Sequence, residues 1–519
     1  MSSAATSLVH PPLTGSARVL GTIALSAATF MNVLDTSIAN VSLPAISGDL
    51  GVSPVQGTWV ITSFAVANAI AVPLTGWLTQ RIGQVRLFTV SVLMFVLASW
   101  LCGMAPNMTT LIAFRALQGF VAGPMIPLSQ TLLLSSYPPA KAGLAMAMWS
   151  MTTLVAPIMG PLLGGWITDN MSWPWIFYIN VPVGLVAASA TWMIYRDRES
   201  PTLQRPIDAV GLALLVLWVG ALQLMLDKGK ELDWFHSPLI IGFAVVSVVG
   251  FAFFLIWELT DEHPVVDLSL FKRRNFWSGA LATAVGYGVF FGNVVILPLW
   301  LQQYMGYTAT QAGMVLAPVG LLAIVLSPIV GLTVGRVDPR IYASFSFLVF
   351  GVVLWMRSNF TTQTDFMTIL VPTLIQGVAM AFFFIPLVTI TLSGLSPSRI
   401  PAASGLSNFT RITAGAMGTS ISTTLWENRS AMHHAQLSEA VNLGNPAAVQ
   451  TLQTLQASGM TYEQALAVIN TTATQQAFML STQEIFYGSA LLFLSLIGLV
   501  WIARRQQGGA GAEAAAGAH

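Results

Sequence analysis

Residues 18–42 read RVLGTIALSAATFMNVLDTSIANVS. An arginine opens the stretch and one carboxylate, Asp35, interrupts it; every other side chain is uncharged. A membrane-spanning helix needs about 20 mostly apolar residues in a row, and this run supplies them. The rest of the chain agrees with it. Of 519 residues 55% are hydrophobic and only 8% are charged, where a soluble domain carries roughly 25% charged residues. With 21 Lys and Arg and 20 Asp and Glu, a soluble protein of this size could not cover its surface. A soluble enzyme and a disordered scaffold are both excluded. A net charge of +1 excludes a nucleic-acid binder, which needs a basic stripe to neutralise phosphates. The single cysteine excludes a disulfide framework and a Cys-based metal site. What remains is a polytopic protein embedded in the lipid bilayer.

Fourteen span-length apolar stretches follow one another, at about 18–42, 55–78, 85–104, 109–134, 142–168, 174–195, 208–226, 237–257, 276–302, 311–333, 341–356, 366–394, 401–425 and 483–503. The expected fold is therefore an all-α membrane protein of fourteen helices. The first 17 residues hold no Lys or Arg, which argues against a cleavable leader. With the N-terminus inside, fifteen Lys and Arg, from Arg18 to Arg505, fall in inside segments. Only Lys228, Lys230, Arg357 and Arg429 then fall outside, and Arg115 and Arg411 lie within spans. Cytoplasmic loops collect positive charge, so both termini are expected inside.

The chain also repeats itself. Gln118-Gly119 matches Gln376-Gly377 at an offset of 258, and Ala156-x-x-Met159-Gly160 matches Ala414-x-x-Met417-Gly418 at the same offset. Ile126-Pro127-Leu128 matches Ile385-Pro386-Leu387 at 259. Parallel repeats of six spans are a transporter pattern, with the binding site between the halves near the bilayer midplane. The expected division is an N-terminal tail (1–17), a six-helix bundle (18–196), a two-helix insert with charged flanks (197–275), a second six-helix bundle (276–505) and a Gly/Ala-rich tail (506–519). A long external loop, 427–481, falls within the second bundle.

Four motifs carry a family resemblance. Gly76-Trp77-Leu78-Thr79-Gln80-Arg81-Ile82-Gly83-Gln84-Val85-Arg86 resembles the cytoplasmic loop motif of the major facilitator superfamily, with Gln80 where the family has an acid. Arg115-x-x-Gln118-Gly119 resembles its R-x-x-Q-G motif. Residues 156–165, APIMGPLLGG, resemble the drug–proton antiporter signature through Pro157, Gly160, Pro161, Gly164 and Gly165. Residues 34–44, LDTSIANVSLP, resemble the first-span motif of the fourteen-span drug–proton antiporter branch. The resemblance implies two six-helix bundles plus two inserted helices, and export of hydrophobic drugs driven by the proton gradient with no cofactor. It also implies a place in the inner membrane, a periplasmic membrane-fusion adaptor as partner and, through it, an outer-membrane channel.

Asp35 is the one acid well inside a span. Intramembrane acids are costly and functional by default, and a carboxyl taken out of water holds its proton more tightly, as a proton carrier must. Arg115 stays charged and is read with Asp35 as the proton-coupling pair. Polar and aromatic residues in spans form the candidate substrate cavity: Asn32, Gln118, Trp149, Phe290, Phe291, Asn293, Gln376, Phe384, Asn408 and Arg411. Such a lining accepts varied amphiphiles. Val285-Gly286-Tyr287-Gly288 resembles a potassium filter, but Ala284 precedes it and it sits inside a full apolar span. His433-His434 lacks a third ligand, so no metal site is expected. No G-x-x-x-x-G-K-[ST] occurs, which argues against ATP-driven transport. Two alternatives stay open: a same-fold transporter of one metabolite or lipid, and a membrane-embedded enzyme, which would need more clustered acids or histidines than the spans hold.

Overall fold

A computed structural model describes residues 10–138, 141–203, 208–262, 264–442 and 444–505, apart from the side chains of residues 54, 55, 154, 157, 158, 161, 162, 169, 309 and 310. The side chains of Pro157 and Pro161, like the two chain ends, therefore lie outside the described residues. The described residues are helical throughout, with no strand. The first half runs α1 (Gly15–Asp49), α2 (Pro54–Gly57), α3 (Trp59–Ala71), α4 (Thr75–Ile82), α5 (Gln84–Gly103), α6 (Met108–Ala122), α7 (Met125–Ser136), α8 (Ala142–Asn170), α9 (Trp175–Tyr178) and α10 (Asn180–Tyr195). The insert is α11 (Ala209–Lys228) and α12 (Pro238–Thr260). The second half runs α13 (Arg274–Tyr304), α14 (Ala309–Leu316), α15 (Pro318–Thr333), α16 (Pro339–Arg357), α17 (Phe366–Ala381), α18 (Phe384–Leu392), α19 (Ile400–Glu439), α20 (Pro446–Ala457) and α21 (Tyr462–Ile502).

Among the described residues eleven helices are long and apolar enough to cross a bilayer, or twelve if the bent pair α3–α4 is one span. That pair bends by 62° at Pro73, which lacks an amide donor and clashes with the preceding turn. Thr75 Oγ1 donates to the Val72 carbonyl at 2.6 Å, satisfying a backbone acceptor at the bend, as apolar surroundings require. The break between α6 and α7 follows Ala122 and that between α17 and α18 follows Ala381, so the two interruptions stand 259 residues apart, at the repeat offset.

Packing follows the same repeat. α1 packs on α8, α10 and α7 as α13 packs on α19, α21 and α18. α3 meets α6 as α15 meets α17, and α5 meets α6 and α10 as α16 meets α17 and α21. Between the halves, α8 meets α15 and α19 meets α3, α4 and α7. The tightest contacts lie toward the end that carries Arg81, Lys141, Arg336 and Arg399. A Cβ on Gly143 would stand 2.1 Å from the Gly331 carbonyl, and one on Gly76 2.7 Å from the Ala402 backbone. Small residues let these backbones touch, and at that end the bundles are shut against each other. The insert lies across both: Leu215, Trp218 and Val219 share a buried cluster with Val72 of the first half and Leu406 and Phe409 of the second.

Residues 427–481, expected as a loop, are mostly helix. α19 continues to Glu439, α20 follows, and α21 starts at Tyr462 behind a capping box of Thr461 and Gln464. A side chain at the first position and an amide three residues on satisfy two free donors reciprocally. Past residue 425, α19 projects about 20 Å further at 1.5 Å per residue.

Candidate functional site

Asp35 sits beyond the middle of α1, 2% exposed, and Arg115 on α6 is fully buried. Arg115 Nη1 donates to Asp35 Oδ2 at 2.6 Å and to Gln118 Oε1 at 2.6 Å. Asp35 Oδ1 accepts from Gln118 Nε2 at 3.0 Å and from Asn180 Nδ2 at 2.8 Å. Ser99 Oγ accepts from Gln118 Nε2 at 2.8 Å. Arg115 Nε donates to the Val60 carbonyl at 3.0 Å, and its guanidinium lies over Phe64 at 4.4 Å and near Phe177 at 5.5 Å. One carboxylate thus ties together α1, α6 and α10 directly, and α3 and α5 through one neighbour each. Arg115 Nη2 is buried without a partner. A buried pair of this kind is held by geometry as much as by attraction, because desolvation consumes much of the Coulomb gain.

The antiporter signature lies on α8, facing α1 beside this carboxylate. A Cβ on Gly160 would stand 2.1 Å from Ser37 Oγ, and one on Gly164 3.3 Å from Ile38, while Gly165 faces open space. The loop motif sits at the basic end. Gly76 touches α19, and Gly83 adopts φ +97 with the Glu199 carboxylate 2.4 Å from where a Cβ would be, so only glycine fits without strain there. Glu199 accepts from the Val85 and Arg86 amides at 3.0 and 2.9 Å, supplying an acid at the start of α5. Arg81 stacks over Trp77 at 5.6 Å.

Between the bundles a narrow cavity is lined by Gln130, Trp149, Thr283, Phe384, Asn408 and Arg411, among others. Its free space is about that of one water. Asn408 Nδ2 donates to Gln130 Oε1 across the two halves at 3.2 Å. Arg411 donates to Asn408 Oδ1 at 2.9 Å and lies over Tyr287 at 4.6 Å. Trp149 meets Phe384 edge-on at 6.4 Å. Of the ten cavity candidates, Trp149, Phe384, Asn408 and Arg411 line this space. Phe291 packs on Tyr287, next to Arg411, and Phe290 on Phe350. The other four lie inside single bundles: Gln118 in the Asp35 network, Asn32 on the Ala122 carbonyl, Asn293 on Ser489, and Gln376 on Arg357.

Arg357 corrects the charge map. The sequence reading put it in an external loop, but it ends α16 at 2% exposure. Its Nη2 donates to Gln376 Oε1 at 2.6 Å and Thr373 Oγ1 at 2.9 Å. Among the described residues no acid pairs with it. Asn180 and Ser99 were also missed. Asn180 is the one amide side chain in 174–195, which was signal enough. Val285–Gly288 is an uninterrupted part of α13.

Comparison with known proteins adds to this geometry. A family model described as Major Facilitator Superfamily matches residues 25–419. The chain is 54% identical over 501 residues to the multidrug export protein EmrB of Escherichia coli strain K12, covering 96% of this chain and 98% of that one. It is 49% identical to the fatty acid resistance protein FarB of Neisseria gonorrhoeae, over 95% of this chain and 98% of that one. Among solved structures, that of the human organic anion transporter MFSD10 aligns with a TM-score of 0.59 at 13% identity, covering 95% of this chain and 100% of that one. At that identity the likeness concerns the fold alone.

Proposed function

The chain belongs to the major facilitator superfamily, and from that premise we propose that it is a proton-driven antiporter in which Asp35 carries the proton and Arg115 responds to its charge. Multidrug export itself follows from high identity to multidrug export proteins along nearly the whole chain. The observation that carries the proton reading is the buried Asp35–Arg115 pair at 2.6 Å, held by donors from separate helices. Protonating Asp35 removes the attraction that seats Arg115 and frees α1 to move against α6 and α10. That is a two-state element a proton can bias. Gly160 and Gly164 pack α8 on the same stretch of α1, and this contact is read as the seal that denies the proton a leak into the cavity.

Drug enters from the cytoplasm or inner leaflet while Asp35 is ionised. Protonation from outside favours release, and the proton leaves inside. An electrical drive of about 2.3 kcal/mol per charge per 100 mV supports roughly a 40-fold gradient of a neutral drug at about 1.4 kcal/mol per tenfold. In this scheme the shut basic end is the inner gate, and the cavity it encloses is the drug site seen closed. Arg411, which has no acid partner among the described residues, favours cargo with an acidic group. Adding α8 and α19 to the twelve apolar units gives fourteen spans, with both termini inside as the Lys and Arg distribution requires. The helical projection of α19, α20 and α21 is read as the docking surface for a periplasmic adaptor and its outer-membrane channel.

The test is drug-driven proton release from proteoliposomes holding this chain alone. Asp35→Asn should bind drug and release no proton. Proton release at the parent rate in that variant would sink the carrier role.

A further inference from the structure

The two insert helices meet, at the end of the basic loops, in a contact the Asp35 network does not use. Asp208 caps α11: its Oδ1 accepts from the Gly211 amide at 2.7 Å and from Trp257 Nε1 at 2.9 Å. Glu258 lies in the last turn of α12, 3% exposed. Its Oε2 accepts from the Val266 amide at 3.1 Å, in the linker to the second bundle. The remaining oxygens, Asp208 Oδ2 and Glu258 Oε1, are both buried and both without a hydrogen-bond partner. They converge on Gly211. A Cβ there would stand 2.1 Å from Asp208 Oδ2 and 2.7 Å from Glu258 Oε1, so the two oxygens lie within about 4.8 Å of one another. Glycine at 211 leaves the room they occupy.

Among the described residues the charged neighbours in sequence are acidic. Asp261 follows α12. Asp267 in the linker is engaged by Arg399 at 2.6 Å. Among the described residues no Lys, Arg or His forms an ion pair with Asp208 or Glu258. Two carboxylates this close, and with no ion-pair partner among the described residues, repel one another when both are ionised. One proton held by the pair removes one of the two buried charges and with it their mutual repulsion.

We propose that Asp208 and Glu258 share a proton, forming a second proton-binding site at the inner end of the insert, separate from Asp35. Its position gives it leverage. Trp218 of α11 meets Phe409 of α19 edge-on at 5.8 Å, and its cluster includes Val72 of the first half. Losing the proton leaves two negative charges that set the start of α11 against the end of α12. On the topology proposed above, this site reads cytoplasmic pH: the insert grips both bundles in acid and slackens in alkali.

The test uses the full-length chain with Asp35→Asn as parent, so that Asp35 contributes nothing. Infrared difference spectra are recorded from mildly acidic to alkaline pH. An un-ionised carboxyl stretch should be lost on raising the pH, should be missing in Glu258→Gln, and should be lost at a lower pH in Asp208→Asn. A proton held more tightly in the folded than in the unfolded chain stabilises at low pH and ceases to as pH rises. The parent's melting temperature should therefore fall with pH, while Glu258→Gln, whose amide donates at every pH, should show a flatter profile. The same band in both variants, or an unchanged pH slope in Glu258→Gln, overturns the proposal. Asp208→Asn carries the test alone if Glu258→Gln does not fold. Neither readout involves transport, so failure here leaves the Asp35 reading untouched, and the reverse holds.

Discussion

In the first half Asp35, Ser99, Arg115 and Gln118 form one network; at the repeat offset of 258 the second half has Asn293, Arg357, Thr373 and Gln376. The glutamine is kept. The guanidinium is kept too, but it moves from the α6 position to the α5-equivalent position, on α16, and Thr373 takes the place that Arg115 holds. Asn180, which donates to Asp35, is answered by Ser489, which accepts from Asn293 at 3.0 Å. Only the carboxylate is lost. The two bundles therefore share a frame in which one half carries a titratable charge and the other a fixed one. The second bundle buries a guanidinium that no acid pairs with among the described residues, so Asp35→Asn asks of the first half what the second already does.

The largest effect expected from this comparison is on the arginines. Arg115→Met leaves Asp35 buried without its cation, and breaking a buried pair costs about 3–5 kcal/mol. Arg357→Met leaves only the neutral acceptors of Gln376 and Thr373, and replacing an unpaired buried charge by an apolar side chain costs less, about 1–3 kcal/mol for the unpaired acceptors. Thermal unfolding in detergent should rank Arg115→Met well below Arg357→Met, and Asp35→Asn should recover part of the loss in the Arg115→Met background. Equal losses would mean that the carboxylate is not what separates the halves.

The glycines sharpen the comparison on a smaller scale. Gly160 and Gly418 are 258 apart and both line the crossing of paired helices. A Cβ at Gly160 would meet Ser37 Oγ at 2.1 Å, which can rotate away, and Ser37 Cβ at 2.4 Å, which cannot, with the Ser37 backbone at 3.1 Å; one at Gly418 would meet the Gly288 backbone itself at 2.1 to 2.7 Å. Overpacking against backbone costs about 1–3 kcal/mol. Gly418→Ala should thus lower the melting temperature, and Gly160→Ala should lower it less while slowing drug-driven proton flux. The opposite order in melting temperature would place the rigid crossing in the first half.

How much of this was legible in the sequence depends on what each residue's neighbours do. Apolar run length marks a helix whatever packs on it, so the repeat, the insert and Asp35 were readable. Polar residues inside spans read as cavity lining because a few polar groups in an apolar wall suit varied amphiphiles. For Asn32, Gln118, Asn293 and Gln376 the partner comes from within the same bundle, and sequence does not give that pairing. Arg357 ends its apolar run, where a loop residue and a buried last-turn residue look alike; burial came from α17 and α21, through Gln376 and Phe486. Residues 427–481 lie between the last two apolar runs and are on that ground expected as a loop, although Ala, Gln and Leu are good helix formers and Thr461 and Gln464 have the spacing of a capping box.

The smallest effect tests the frame itself. If Asn293 stands where Asp35 does, Asn293→Asp sets a carboxylate in a bundle that already holds a guanidinium. The acid should then cost less stability beside Arg357 than in an Arg357→Met background, where nothing offsets its burial. Neighbouring charged sites couple by about 0.5–3 kcal/mol, and the low end is expected because Arg357 comes from a different helix than Arg115. A double-mutant cycle on thermal unfolding reads that coupling. Zero coupling would show that the guanidinium, in moving from the α6 to the α5 position, also moved out of reach of the site on α13, and that the repeat preserves helices without preserving the charge geometry between them. A favourable coupling would mean that the position on α13 needs only the acid, and that the asymmetry of the two halves rests on a single amide.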